Sequence, residues 1–185
     1  MRLAKVFKGL LIVLMMPLVM GANWAPMALT GHTETRLKRV HIEQELRFFS
    51  KKQRKHIDTM ARTLYGEARG ERTDNAMTAV AHVILNRVAH KNWAGSPRKV
   101  AKQRLQFSCW NKFDPNRVLI TTVTLKNKHF RKAYRVAIDV MCRKSDPTNG
   151  ATHYHSRFMP KKPHWAKCKT MKPMGKFGNH LFYKC

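Results

Sequence analysis

The chain has 185 residues, 43% of them hydrophobic, which is enough for one folded domain and too many for a disordered basic tail. Lys and Arg number 37 against 10 Asp and Glu, a formal net charge of +27 with His neutral. Such a field calls for a polyanionic partner (nucleic acid, anionic lipid or an acidic cell-wall polymer) and says nothing about chemistry.

The basic start MRLAKVFK precedes a stretch without charge from Gly9 to Gly31. Residues 1–31 therefore read as a signal peptide cut near Ala22, or as a retained signal anchor, since about 20 apolar residues can span a bilayer. Either sends the rest of the chain out of the cytoplasm, to the periplasm or cell envelope, and the anchor would tether it to the inner membrane. Export turns the basic surface toward membrane and wall rather than toward any specific nucleic acid. Cys109, Cys142, Cys168 and Cys185 suit an oxidising compartment and at least one disulfide, in a pairing the sequence leaves open.

Residues 32–50 read as a charged connecting segment compatible with a helix, with Leu37, Val40 and Leu46 loosely spaced, and residues 51–185 as the functional domain. Ser50 and Gln53 form a capping box that opens a helix with Ile57, Met60, Ala61, Leu64 and Ala68 at helical spacing, ending at Gly66 or Gly70. Thr73 or Asp74 caps a second helix whose apolar stripe is Met77, Val80, Ala81, Ile84, Leu85 and Val88. Ser96 followed by Pro97 predicts a short third helix. A fourth spans His129 to Arg143, with Phe130, Ala133, Tyr134, Ala137 and Met141 facing inward. DPTNG at 146–150 is turn chemistry, THYHS after it a short strand, and the remainder loops around small strands. The expected class is α+β: one mainly helical domain with a small β portion near the C-terminus.

In a chain so poor in acid, Glu67, Glu71 and Asp74 fall within eight positions of one another. They fit a solvated face paired with Arg62, Arg69 and Arg72, and Glu71 and Asp74 also fit the favourable end of the second helix's dipole. Glu67 fits these readings less well. It lies three after Leu64 and seven after Met60, so it borders the buried stripe, and Gly66 and Gly70 would let another segment or a ligand approach closely. A partly desolvated carboxyl there suits general-acid work.

The block ARTLYGEARGERTDNAMTAVAHVILNRV resembles the signature of the cell-wall hydrolase family typified by bacterial spore cortex-lytic enzymes. QFSCW at 106–110, DPTNGATHYHS at 146–156, PHWA at 163–166 and GNHLFY at 178–183 resemble later blocks of that family, in the same order. The resemblance implies a lysozyme- or lytic-transglycosylase-like fold that cleaves peptidoglycan glycan strands between N-acetylmuramic acid and N-acetylglucosamine. It makes Glu67 the catalytic acid of a lytic transglycosylase that leaves 1,6-anhydromuramic ends, with no cofactor. An ordinary glycosidase needs two carboxyls, about 5 Å apart for retention or about 6.5–9.5 Å for inversion, whereas an intramolecular nucleophile lets one suffice.

Candidates for holding the glycan are Glu71, Asn86, Gln106, His153, Tyr154, His155, Trp165 and His180. Asn86 also fits a helix-end cap, Gln106 a loop brace and Trp165 a core ring. His153 and His155 project from one side of a strand and Tyr154 from the other, and either side could line the cleft. The spore enzymes carry a separate wall-binding repeat domain. Here the basic surface is expected to take its place on anionic wall or membrane, in a monomer that resembles a signal-anchor phage endolysin or a wall-remodelling enzyme.

Two other readings remain at this level. A zinc amidase or endopeptidase would draw ligands from His153, His155 and His180 with Cys168 or Cys185, though HExxH is absent from the sequence. A non-enzymatic membrane- or nucleic-acid-binding protein would act through clusters such as KKQRKH at 51–56.

Overall fold

The computed structural model describes residues 31–71, 73–142 and 145–185, so residues 1–30 of the expected signal segment lie outside the described residues. The segment read as a connector is helical, α1 (Gly31–Leu46). Only Ile42 of α1 is fully buried, so burial alone holds it weakly, and Arg135 Nη1 donates to Glu45 Oε1 at 2.6 Å to fix it on the domain.

The capping box forms as expected. Ser50 Oγ accepts the Gln53 N–H at 3.3 Å, and Gln53 Oε1 accepts the Ser50 N–H at 2.9 Å, opening α2 (Lys51–Ala68). Two further helices follow the sequence pattern closely, α3 (Asp74–Ala89) and α4 (Pro97–Lys102), the latter with Ser96 as cap and Pro97 at its start. Then comes α5 (Asn116–Thr122), which the sequence did not signal. Its residues NRVLITT are mostly β-branched and carry little helical propensity. Tertiary contacts supply what propensity lacks: Ile120 is fully buried, and Arg62 Nη1 from α2 donates to the Ile120 carbonyl at 2.6 Å. The last helix, α6 (Lys128–Met141), starts one residue before the expected His129. Asn127 Oδ1 caps it by accepting from the His129 and Phe130 N–H groups.

Ile57, Met60 and Leu64 of α2, Met77, Val80 and Val83 of α3, and Phe130 and Ala137 of α6 share one buried core. Phe130 stands edge-on to Tyr65 and Tyr134, at 5.8 and 5.2 Å between ring centroids. This helical body leaves the C-terminal end of α2 at its margin, where the sheet docks.

The sheet contains β1 (His153–Ser156), β2 (Lys172–Phe177) and β3 (His180–Lys184), antiparallel in the order β1-β3-β2. Tyr154 pairs with Phe182 and His153 with Tyr183. Because side chains alternate along a strand, Tyr154 and Phe182 share one face and His153, His155 and Tyr183 the other. A register shift between Pro173 and Gly175 bends β2, with Gly175 at φ +121°. None of the four cysteines forms a disulfide, against expectation: Cys109 is buried, and Cys168 and Cys185 are exposed thiols. Among the described residues no helix is long and apolar enough to cross a membrane.

Gly66 is the tightest point of the helical body. A Cβ there would sit 2.7 Å from Cys109 Cβ, 2.8 Å from its Sγ and 3.0 Å from Ile120. Gly66→Ala should therefore destabilise the fold by about 1–3 kcal/mol through overpacking, despite alanine's higher helix propensity. Urea unfolding of the two proteins measures it, and Gly70→Ala, where nothing lies within 4 Å, is the control.

Candidate active site

The last turn of α2 carries Glu67, and three distant segments converge on it. A 3-10 turn at Ser108–Trp110 seats Cys109 against Gly66, and Trp110 Nε1 donates to Thr63 Oγ1 at 2.9 Å. Arg62 and Arg69 do not pair with the acid cluster as a solvated face would require, and Arg72 lies outside the described residues. Arg62 Nε donates to Asp58 at 2.9 Å and its Nη1 to α5, while Arg69 Nη2 donates to Asn116 Oδ1 at 2.7 Å. Asp74, first residue of α3, forms an ion pair with Lys132.

Glu67 is half-buried. Its Oε2 accepts a hydrogen bond from the Tyr154 hydroxyl at 2.9 Å, and its Oε1 is shielded from solvent with no hydrogen-bond partner. Burial, and then the Glu67 charge, hold the Tyr154 phenol well above its ordinary pKa, so it remains a donor. The same two causes raise the Cys109 thiol. Phe182 stacks on Tyr154 at 5.4 Å, and His180 meets it edge-on at 5.3 Å, giving the acid an aromatic wall.

Arg87 of α3 completes this environment, and sequence reasoning missed it. It is 5% exposed, its Nε donates to the Thr152 carbonyl at 2.7 Å, and its guanidinium lies 4.3 Å over Trp93 and 5.2 Å over Phe107. Burial lowers its pKa to about 10, with Tyr154 and Glu67 opposing the shift, so it stays cationic at neutral pH. Its Nη1 is buried without a partner. The available signal was spacing: Arg87 falls seven after Val80 and four after Val83, on the apolar stripe of α3, where a charge is out of place.

The other expected residues divide. Glu71 does not line the open site. Its side chain is 10% exposed, its Oε1 accepts the Asn179 N–H at 3.2 Å, and His180 Nδ1 lies 3.5 Å away. Gly178, at φ +59°, makes this possible, since a Cβ there would come within 2.6 Å of Glu71 Oε2. Glu71 thus pins the β2–β3 turn. Burial lowers the His180 pKa against the opposing charges of Glu71 and Glu67, favouring a neutral ring.

Asn86 braces the 146–151 turn, donating to Asp146 Oδ2 at 3.0 Å and to the Ala151 carbonyl at 2.9 Å. His155 is buried, its ring stacked on Tyr183 at 5.5 Å with Nε2 3.3 Å from the Tyr183 hydroxyl. Trp165 packs edge-on to both. Gln106 and His153 do come together, with Trp93 and Thr152, around a depression of about 320 Å³. Arg87 connects it to the acid, since its guanidinium stacks on Trp93 and feels the Glu67 charge. His153 and His155 face away from His180, and among the described residues no three His, Cys, Asp or Glu side chains are arranged to hold a metal ion.

A family model described as Cell Wall Hydrolase matches residues 70–183, beginning three residues after Glu67. Two solved structures are similar. One is the catalytic domain of the Bacillus cereus SleB protein, at 29% identity and TM-score 0.53, covering 70% of this chain and 89% of that one. Another is the catalytic domain of the germination-specific lytic transglycosylase SleB from Bacillus anthracis, at 29% identity and TM-score 0.53, covering 74% and 97%. No curated protein matches significantly. The mainly helical body with a small C-terminal sheet is thus the architecture of those lysozyme-like catalytic domains.

Asp146 gives this region an acid limit. Burial alone would raise its pKa, but hydrogen bonds from Thr148, Asn86 and the Thr148 and Gly150 N–H groups outweigh it and hold the carboxyl below the ordinary 3.8. A carboxyl more acidic in the folded than the unfolded chain contributes its full stability above about pH 4 and loses it as pH falls through the folded value. Asp146→Asn should cost about 1.5–3 kcal/mol at pH 7 and flatten the acid limb of stability. Urea midpoints from pH 7 to pH 3 test this, and an unchanged acid slope would contradict it.

Proposed function

This chain belongs to the cell wall hydrolase family and is a peptidoglycan-degrading enzyme, and we propose that it works as a lytic transglycosylase with Glu67 as its single catalytic carboxyl. The observation that carries the reading is the state of that side chain. Tyr154 occupies Oε2, Oε1 has no protein donor, and Glu71 nearby is committed to the β2–β3 turn.

A protonated Glu67 donates to the glycosidic oxygen between N-acetylmuramic acid and N-acetylglucosamine, and the bond from that oxygen to the muramoyl anomeric carbon breaks. The resulting carboxylate is stabilised by the Tyr154 hydrogen bond and by the buried Arg87 charge. It then takes the proton of the muramoyl sugar's own primary hydroxyl, whose oxygen closes on the anomeric carbon as a 1,6-anhydro ring. The nucleophile is part of the substrate, so no second carboxylate has to position a water. Gln106, His153 and Trp93 around the 320 Å³ depression are placed to take a neighbouring sugar, with Trp93 offering a ring face.

The B. anthracis relative is described as a germination-specific lytic transglycosylase. The reaction is what we carry to this chain, not the germination role. We place the enzyme outside the cytoplasm, as a monomer in the cell envelope, where its substrate lies and where the net charge of +27 holds it to anionic surfaces. Host lysis and wall remodelling both need this cut.

Glu67→Gln should lower the release of soluble fragments from purified peptidoglycan sacculi by at least about a hundredfold. Tyr154→Phe, which removes one hydrogen bond and keeps the ring stack, should lower kcat about tenfold with little change in KM, as expected if that bond matters most in the transition state. Mass spectrometry of the fragments checks the reaction itself. Anhydro-muramic ends support it; reducing ends would mean hydrolysis, and freed stem peptides an amidase.

A further inference from the structure

A dense cluster of unpaired positive charge lies away from Glu67. Lys52, Arg54 and Lys55 on the first turns of α2 face Arg98, Lys99 and Lys102 of α4 across two adjoining depressions of about 640 and 460 Å³, which share Lys55, Arg98 and Lys102. The one acid on their walls, Asp58, is already engaged by Arg62 Nε and by the Tyr134 hydroxyl, each at 2.9 Å. Among the described residues none of these six cations forms an ion pair. The crowding has a measurable consequence. Burial first, and then the charge of Arg98, lower the pKa of Lys102, and burial with Lys52 and Arg98 does the same for His56. Like charges set this closely repel, and a bound anion would relieve them.

The chain leading into α2 indicates which anion. Between Leu46, which lines it, and Lys51 stands Phe48, 90% exposed and flanked in sequence by Arg47. An exposed aromatic ring beside clustered cations is the pattern of a surface that meets lipid, where the ring enters the head-group layer and the cations take the phosphates. A soluble polyphosphate would use the cations but has no use for the ring.

We propose that the α2–α4 groove binds the phosphate groups of anionic phospholipids at a membrane surface, with Phe48 entering the head-group layer beside it. Lys55 and Glu67 lie 12 positions apart on one rigid helix, about 18 Å at 1.5 Å per residue. The groove therefore seats the domain on the membrane through one end of α2 while the other end works on glycan. The proposal does not depend on which reaction Glu67 performs.

The test uses the full chain and two sets of vesicles, phosphatidylglycerol mixed with phosphatidylcholine, and phosphatidylcholine alone, so that any contribution of the apolar N-terminal segment appears in both. The groove variant is Lys52→Gln/Lys55→Gln/Arg98→Gln. The charge-matched control is Lys161→Gln/Lys162→Gln/Lys169→Gln, three exposed lysines elsewhere. At about fivefold per cation, the groove variant should lose on the order of a hundredfold of the parent's preference for anionic vesicles, and the control less than tenfold. Phe48→Ser should weaken binding to anionic vesicles severalfold, in a way that added salt does not reproduce. Fragment release from sonicated, lipid-free sacculi should be the same for parent and groove variant, which shows that the variant is folded.

An equal loss in both triple variants would mean that net charge acts without a site, and would overturn the proposal. So would an unchanged preference in the groove variant. Groove-dependent binding of soluble polyphosphate with no effect of Phe48→Ser or of lipid would reassign the groove to a soluble polyanion and likewise reject it.

Discussion

One hydrogen bond, from the Tyr154 hydroxyl to Glu67 Oε2, joins the last turn of α2 to the edge strand β1 across 87 positions of sequence. A half-buried carboxylate is tolerable only if something replaces the water it has lost. Here the replacement is one phenol, kept protonated by the burial that also brings it close, and the field of one guanidinium. Three other contacts hold this arrangement in place. Gly66 admits Cys109, Glu71 fixes the β2–β3 turn, and Asn86 with Arg87 anchors the chain entering β1. Each contact sets the position of a segment that touches Tyr154 or Glu67.

Scarcity of acid gives the remaining carboxylates defined tasks. Asp58 holds Arg62 and Tyr134, Glu45 fastens α1 to α6, Asp74 pairs with Lys132, and Asp146 organises the turn before β1. With so many cations available, a carboxylate whose polar neighbours are a phenol and a thiol stands out. The cations that no acid neutralises gather instead at the far end of α2. One helix therefore carries the half-buried Glu67 at its C-terminal end and a dense positive field near its start.

Most of the helical body was legible because local rules and burial agree there. The capping box at Ser50, the Ser96–Pro97 start and the stripe of α3 each place an element to within a residue or two. Two elements were less legible. Helix α1 has one buried position, too few to make an amphipathic pattern, and α5 is built from β-branched residues that side chains from α2 hold in helical form. The site was legible in the same uneven way. Gln106 and His153 share one depression and Tyr154 meets Glu67, whereas Glu71, Asn86 and His155 brace turns and the sheet.

By itself the sequence determined most of the helical spans, the basic field and the unusual place of Glu67 beside an apolar stripe, because all three depend on spacing along one chain. Only the tertiary structure decided which polar groups meet that carboxyl. Arg87 sits 20 positions from Glu67 on α3, whose packing on α2 brings its charge near, and Tyr154 sits 87 positions away on β1 and meets the carboxyl through the docking of the sheet. A hydrogen-bonding side chain has the same composition whether it braces a turn or faces a substrate. What separates Glu71 from Glu67 is the burial and the partners that the fold supplies.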